Sequence, residues 1–186
     1  MLPGGQAAIQ SLKKEKVENV FGLIGSATME MFDALYHEKK INFIGVRDER
    51  TGTHMADGYA RASNNPGVIL AGQNGPGPTN LVTGIAQAAA AFSPVVSIAG
   101  SYSTKDKMQD AFQRLDQQSL FKPITKKTWT IKDAKKIPTI FSKAFNLAMA
   151  PRRGPVQLNL PRNILSKKEK FNIDQSKKSY NSESSQ

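Results

Sequence analysis

Short apolar runs alternate along this chain with longer stretches whose apolar residues recur at helical spacing. The runs "ENVFGLI" (18–24), "INFIGV" (41–46), "GVILAG" (67–72), "PVVSIAG" (94–100) and "GPVQLNL" (154–160) are nearly continuous in Val, Ile and Leu, the pattern of strands covered on both faces. "TKKTWTI" (125–131) predicts a sixth strand. Between them, residues 7–17, 28–39, 50–63, 77–92 and 134–149 read as helices. In the first, Ala8, Ile9 and Leu12 share a face; in the second, Met29, Phe32, Leu35 and Tyr36 do, with Ser26 or Thr28 as N-cap. Pro138 falls in the first turns of its helix, where a proline is tolerated. Such alternation predicts an α/β fold: a doubly wound, mainly parallel six-stranded sheet with helices on both faces. Residues 101–125 read as irregular with short helical pieces. From Ser166 onward "SKKEKFNIDQSKKSYNSESSQ" has neither period, so the expected organisation is a domain over 1–165 and a disordered tail over 166–186.

Composition changes this picture little. A chain of 186 residues with 39% hydrophobic and 8% aromatic residues suits one soluble globular domain. No apolar run reaches the ~18 residues of a membrane span. "MLPGGQAAIQSLKK" is not a signal peptide by pattern, and the chain has no cysteine, so a cytoplasmic protein without disulfides or thiolate metal sites is expected.

Charge adds more. The net charge is +11, but residues 1–104 are balanced, while 105–153 hold 12 Lys/Arg against 4 Asp/Glu. No nucleic-acid motif accompanies this basic segment, and Phe112, Phe121, Trp129, Phe141 and Phe145 fall at positions suited to a core. A solvated face, or a docking surface for an acidic partner, is therefore expected in preference to nucleic-acid binding.

The candidate chemistry lies at three strand ends, which a parallel sheet brings to one edge. "FGLIGSATM" (21–29) is a Gly-rich turn that could offer amides to an anion, although a tight strand-to-helix turn explains it equally well. It is not a G-x-G-x-x-G, and no P-loop is present. "GQNGPGPTN" (72–80) combines a rigid backbone with the amides of Gln73, Asn74 and Asn80, suited to a planar heteroaromatic ligand. In "VRDERTGTHMADGYAR" (46–61), Glu49 is either a helix-start acid favoured by the dipole or a carboxylate exchanging a proton with a ligand nitrogen. His37 and His54 lack ligand-spaced partners, so no metal site is expected; Asp33, Asp57 and the lysines read as solvated faces.

Taken together, "VFGLIGS", "RDERTGTHMADGYAR", "GQNGPGPTNLVTGIAQA", "SPVVSIAG", "DAFQRLDQQSLFKPITK" and the closing "RRGPVQLNLPRNI" resemble, in order and spacing, the pyrimidine-binding domain of thiamine diphosphate enzymes of the acetolactate synthase type. The resemblance covers about residues 3–165. "GLIGSATM", "HMADGYAR" and "QNGPG" look most like the sulfoacetaldehyde acetyltransferases of this group. It implies that Glu49 hydrogen-bonds N1′ of the cofactor's aminopyrimidine and so activates the thiazolium carbon. It further implies that Ile24 and Gly25 line the pyrimidine, Gln73 and Pro76 its edge and Asn80 the loop around it, while Gln113 reaches toward the reacting centre. Asp48 stands where the family usually has histidine. The G-D-G…N-N magnesium motif of the family is absent from this sequence. The resemblance thus implies a transferase that needs a separate diphosphate-binding domain or subunit to hold Mg2+, in a homo- or hetero-oligomer. The reaction expected is sulfoacetaldehyde plus phosphate to acetyl phosphate plus sulfite. The alternatives are acetolactate synthase-like carboligation of pyruvate, and a non-catalytic interaction module that kept the fold.

Overall fold

The computed structural model describes residues 1–105, 111–174 and 178–180. A two-residue strand β1 (Leu2–Pro3) leads into α1 (Gly4–Lys14), followed by β2 (Asn19–Leu23), α2 (Met29–His37), β3 (Asn42–Gly45), α3 (Glu49–Ser63), β4 (Gly67–Ala71), α4 (Pro76–Ala90) and β5 (Val95–Ser101). The short α5 (Gln117–Phe121) then precedes β6 (Lys127–Thr130), α6 (Ile137–Met149), β7 (Val156–Pro161), α7 (Arg162–Leu165) and β8 (Lys168–Glu169). The six expected strands form one sheet of order β3-β2-β4-β5-β7-β6, and every neighbouring pair is parallel.

Alternation along the strands feeds two cores. Val20, Val68, Leu70, Val96, Ile98, Val156 and Leu158 pack with α1, α2 and α6, including Leu12, Met31, Phe141 and Phe145. Phe21, Ile69, Ala71, Val95 and Ala99 pack on the other side with Ala56 of α3, Leu81, Ile85 and Ala88 of α4, and Phe121. Both faces of β4 are therefore buried, which is why its sequence is apolar without interruption.

Some expectations change. The inner face of α2 is Met31, Phe32 and Leu35, whereas Met29 and Tyr36 are exposed. A 3-10 turn at Ser26–Thr28 precedes the helix and shifts which residues face the sheet, and Thr28 occupies the N-cap with its hydroxyl donating to the Gly72 carbonyl at 3.4 Å and not capping the helix amides. Phe121, Phe141 and Phe145 are core residues and Trp129 is half-buried, but Phe112 is 86% exposed. Asp57, read as solvated, is buried: Arg61 sits one helical turn on and pairs with it through Nε (3.0 Å) and Nη2 (2.8 Å).

The segment after Ser166 touches the body despite lacking a period. Lys168–Glu169 pairs antiparallel with Leu2–Pro3, and Phe171, Ile173 and Tyr180 pack on the first core. Ser179 donates from both its N–H and its hydroxyl to Oε2 of the buried Glu15, each at 2.8 Å. Residues 175–177 and 181–186 of the expected tail lie outside the described residues.

Candidate functional site

From β2 the chain moves to β3 on one side and then crosses to β4 on the other. The carboxyl ends of β2 and β4 thus flank a topological switch point, where open α/β sheets form a ligand crevice. All three turns singled out in the sequence emerge there. The turns after β2 and β4 touch through bare backbone: a Cβ on Gly72 would lie 2.0 Å from the Gly25 nitrogen, and one on Gly25 2.5 Å from the Gly72 carbonyl carbon. The Ala27 N–H donates to the Gly72 carbonyl at 2.9 Å, and the Gly72 N–H to the Leu23 carbonyl at 3.0 Å. Only glycine permits this approach at both positions.

The third turn separates two adjacent acids into different roles. Asp48 is the N-cap of α3, its side chain accepting from the Arg50 N–H at 2.8 Å, as orphan amides at a helix start require. Glu49 is the first residue of that helix, and only 4% of it is exposed. Its Oε2 accepts from Asn80 Nδ2 on α4 at 2.9 Å. Oε1 accepts no hydrogen bond among the described residues. It lies 3.4 Å from where a Cβ on Gly77 would stand, so the missing side chain keeps space beside it. Thr53 Oγ1 donates to the Glu49 carbonyl at 2.8 Å and ties the first turn down. The arrangement is a buried carboxylate with one oxygen fixed and the other available to a ligand donor or proton.

The amides of the "GQNGPGPTN" loop prove to be clamps. Gln73 Oε1 accepts from the Ser26 N–H (3.2 Å) and hydroxyl (2.9 Å), joining the turn after β2 to the turn after β4. Gln73 Nε2 donates to Gln113 Oε1 at 2.5 Å, and Asn74 Nδ2 to the Gln113 carbonyl at 3.2 Å. Gln113 itself holds a left-handed backbone (φ 62°), and Gly75 (φ 75°) has no side chain to collide with it, since a Cβ there would meet Gln113 Cβ at 2.9 Å. The structure therefore brings Gly25, Gln73 and Gln113 together, and Glu49 with Asn80. Pro76 opens α4 and is exposed, and Ile24 stands 62% exposed at the rim. Ser26, expected only as an N-cap, is the partner of Gln73, and Gly77, given no role in the sequence, leaves the space beside Glu49. The small residues of "GSAT" and the second glycine of "GPG" were the available signals.

Asp57 forms a second polar cluster on α3. Burial pushes its carboxyl up, but hydrogen bonds from Arg61, Ser93 and Gln87 outweigh this and leave it below the usual carboxylate value. It locks α3 to α4 and to the chain entering β5. Among the described residues no group of His, Asp or Glu could hold a metal ion. No described helix is long and apolar enough to cross a membrane.

A buried carboxylate at a switch point, with Gly-rich turns on either side, defines a domain of the doubly wound α/β class with a crevice suited to a ligand. Residues 2–120 match the family described as thiamine pyrophosphate enzyme, N-terminal TPP binding domain, and the chain belongs to it. It is 45% identical over 161 residues to a probable acetolactate synthase large subunit of Methanococcus aeolicus, covering 87% of this chain and 26% of that protein. Against the acetolactate synthase large subunit of Buchnera aphidicola (Schizaphis graminum) it is 41% identical, covering 93% of this chain and 30% of the relative. For acetolactate synthase isozyme 3 large subunit of Escherichia coli the figures are 40%, 89% and 29%. The chain thus spans between a quarter and a third of the length of these relatives. The acetolactate synthase alternative fits these relatives better than the sulfoacetaldehyde acetyltransferase reading, which they do not support.

Proposed function

We propose that this chain is the pyrimidine-gripping part of an acetolactate synthase-type transferase, acting on pyruvate together with a diphosphate-binding domain or subunit that holds Mg2+. The observation carrying this reading is Glu49: buried, fixed at Oε2 by Asn80 and open at Oε1 beside the bare backbone of Gly77. Those features fit the heteroaromatic end of thiamine diphosphate, a cofactor that when bound supplies a nucleophilic carbon and an electron sink for carbonyl chemistry. Glu49 Oε1 would carry the proton shared with a ring nitrogen, and the low local polarity around it would strengthen that bond. Asn80 keeps the carboxylate from rotating. The Gly25–Gly72 contact leaves a flat backbone wall beside the ring, and Gln73 holds that wall and Gln113 in one piece. Ile24 and Pro76 offer apolar rim on which a ring could rest. Neither a protein nucleophile nor a metal of this chain is needed for these steps.

The test is co-expression with a diphosphate-binding partner domain from an acetolactate synthase, followed by assay of both products. Acetolactate from pyruvate is expected; acetyl phosphate from sulfoacetaldehyde and phosphate would favour the other reaction. Glu49→Gln, which keeps volume and an acceptor for Asn80, should cut turnover by about a hundredfold or more, the usual range for a lost proton-transfer group. Unchanged turnover in that variant would leave a docking module in place of a cofactor site.

A further inference from the structure

At the opposite end of the sheet, away from Glu49, three connections meet: the chain leaving α4 for β5, the chain entering β6 and the loop from α6 to β7. They enclose a groove of about 430 Å³ lined by Phe92, Pro123, Ile124, Lys126 and the 151–155 segment. Its floor is apolar and stiff, with Pro123, Ile124, Pro151 and Pro155 contributing. Among the described residues no Asp or Glu lines it, while Lys126, Arg152 and Arg153 do.

Phe92 is the unusual member. It is 51% exposed and has a left-handed backbone (φ 54°), a conformation that strains a residue with a large side chain. Neither burial nor turn geometry accounts for a phenylalanine there. The Arg152 guanidinium stands over its ring, 5.0 Å from the centroid, so the aromatic face and a positive charge are presented together. Arg153 is held by a hydrogen bond to Asn64 Oδ1. Lys126 is anchored through Nζ to the carbonyls of Leu147 (2.6 Å) and Ala150 (2.9 Å), which fixes one wall. The groove lies within or beside the segment holding 12 Lys/Arg against 4 Asp/Glu.

We propose that this groove docks an acidic peptide segment of a partner protein. An apolar side chain of the peptide seats on Phe92 and Pro151, and a carboxylate of the peptide pairs with Arg152. Charge complementarity selects the acidic partner, and the proline floor selects a peptide over a nucleic acid. A phosphate backbone needs a track of cations, whereas here two arginines flank a short apolar slot. Because the groove is at the other end of the strands, an occupant leaves the Glu49 crevice open.

The test uses the 186-residue chain and a fluorescently labelled Asp/Glu-rich peptide with one central Phe, followed by anisotropy. Saturable binding is expected, weakened about tenfold by Arg152→Glu, the scale of a lost anchor contact. Phe92→Gly should weaken it several-fold; glycine is at ease at that backbone angle, so the fold survives. Lys143→Glu, on the exposed side of α6, should leave it unchanged. The proposal is overturned if the peptide does not saturate at low salt, if Lys143→Glu weakens it as much as Arg152→Glu, or if labelled single-stranded DNA binds more tightly and displaces it.

Discussion

The two helical layers covering the sheet are built from different materials. The layer of α1, α2 and α6 is made of bulk: Ile9, Leu12, Met31, Phe141 and Phe145 are all at 0% exposure. The layer of α3 and α4 is made largely of small residues, with Gly52, Ala56, Ala60, Gly84 and Ala88 buried. These bring the helices so close that a Cβ on Gly84 would lie 2.6 Å from Thr53 Cβ. Into that thin layer the protein places two buried acids, Glu49 and Asp57, each tied to α4 by an amide, Asn80 for one and Gln87 for the other. One layer supplies stability through apolar volume. The other gives up volume to hold polar groups at fixed positions, and the crevice lies at its end.

Phe145→Ala should break the comparison hardest. Removing a fully buried ring costs about 3–5 kcal/mol, readable as a lower midpoint in urea, while the crevice geometry at Glu49 stays intact as far as the chain remains folded. Glu49→Gln should do the converse, costing activity of the assembled enzyme with little change in unfolding midpoint.

Asp57→Asn comes next. It leaves Arg61 without its anion, and a loss of roughly 1–3 kcal/mol is expected near neutral pH for charge-assisted bonds to a buried carboxylate whose arginine partner is half exposed. The sign of its pH dependence is fixed by the lowered carboxyl. Stabilisation by Asp57 is complete above its ordinary value of 3.8 and is lost as pH falls through the lower folded value. The stability gap between wild type and Asp57→Asn should therefore close in acid. A gap that stayed constant down to pH ~2 would mean Asp57 acts through packing and not through charge.

The smallest effect sharpens the contrast between neighbours. Asp48→Ala removes an N-cap and should cost about 1 kcal/mol with turnover of the assembled enzyme nearly unchanged, although it sits beside Glu49. A large drop in turnover would show that the cap also sets the position of the carboxylate.

Much of the fold was readable because buried parallel strands announce themselves as apolar runs; β4 and β5 fall within a residue or two of the predicted bounds. β1, α7 and β8 were not readable, since two to four residues are too few to show any period. Convergence of the three turns followed from parallel topology alone. The division of labour between Asp48 and Glu49 did not, because both residues suit a helix start and only the backbone decides which one turns inward. Phe112 and Asp57 were misread for a shared reason. Hydrophobicity predicts burial on average, while Asp57 is buried because three specific donors meet it, and Phe112 is exposed among residues 111–116, where no helix or strand sets its direction. The clamp from Gln73 to Gln113 depends on a left-handed residue, and nothing about a glutamine signals that angle.

The attachment of Ser179 and Tyr180 at Glu15 bears on how this domain can be handled at the bench. Glu15 has 0% exposure and takes both donors of Ser179, while the Tyr180 hydroxyl, its acidity suppressed by burial and then by Glu15, rests on the Glu15 carbonyl at 3.3 Å. Tyr180 also stacks on Phe145, with centroids 6.2 Å apart. Trimming the gene after Leu165, where the regular pattern stops, would strip the lid from a carboxylate and an aromatic surface in one cut. A shortened product of that kind should express poorly or clump, whereas one that retains Tyr180 should stay in solution.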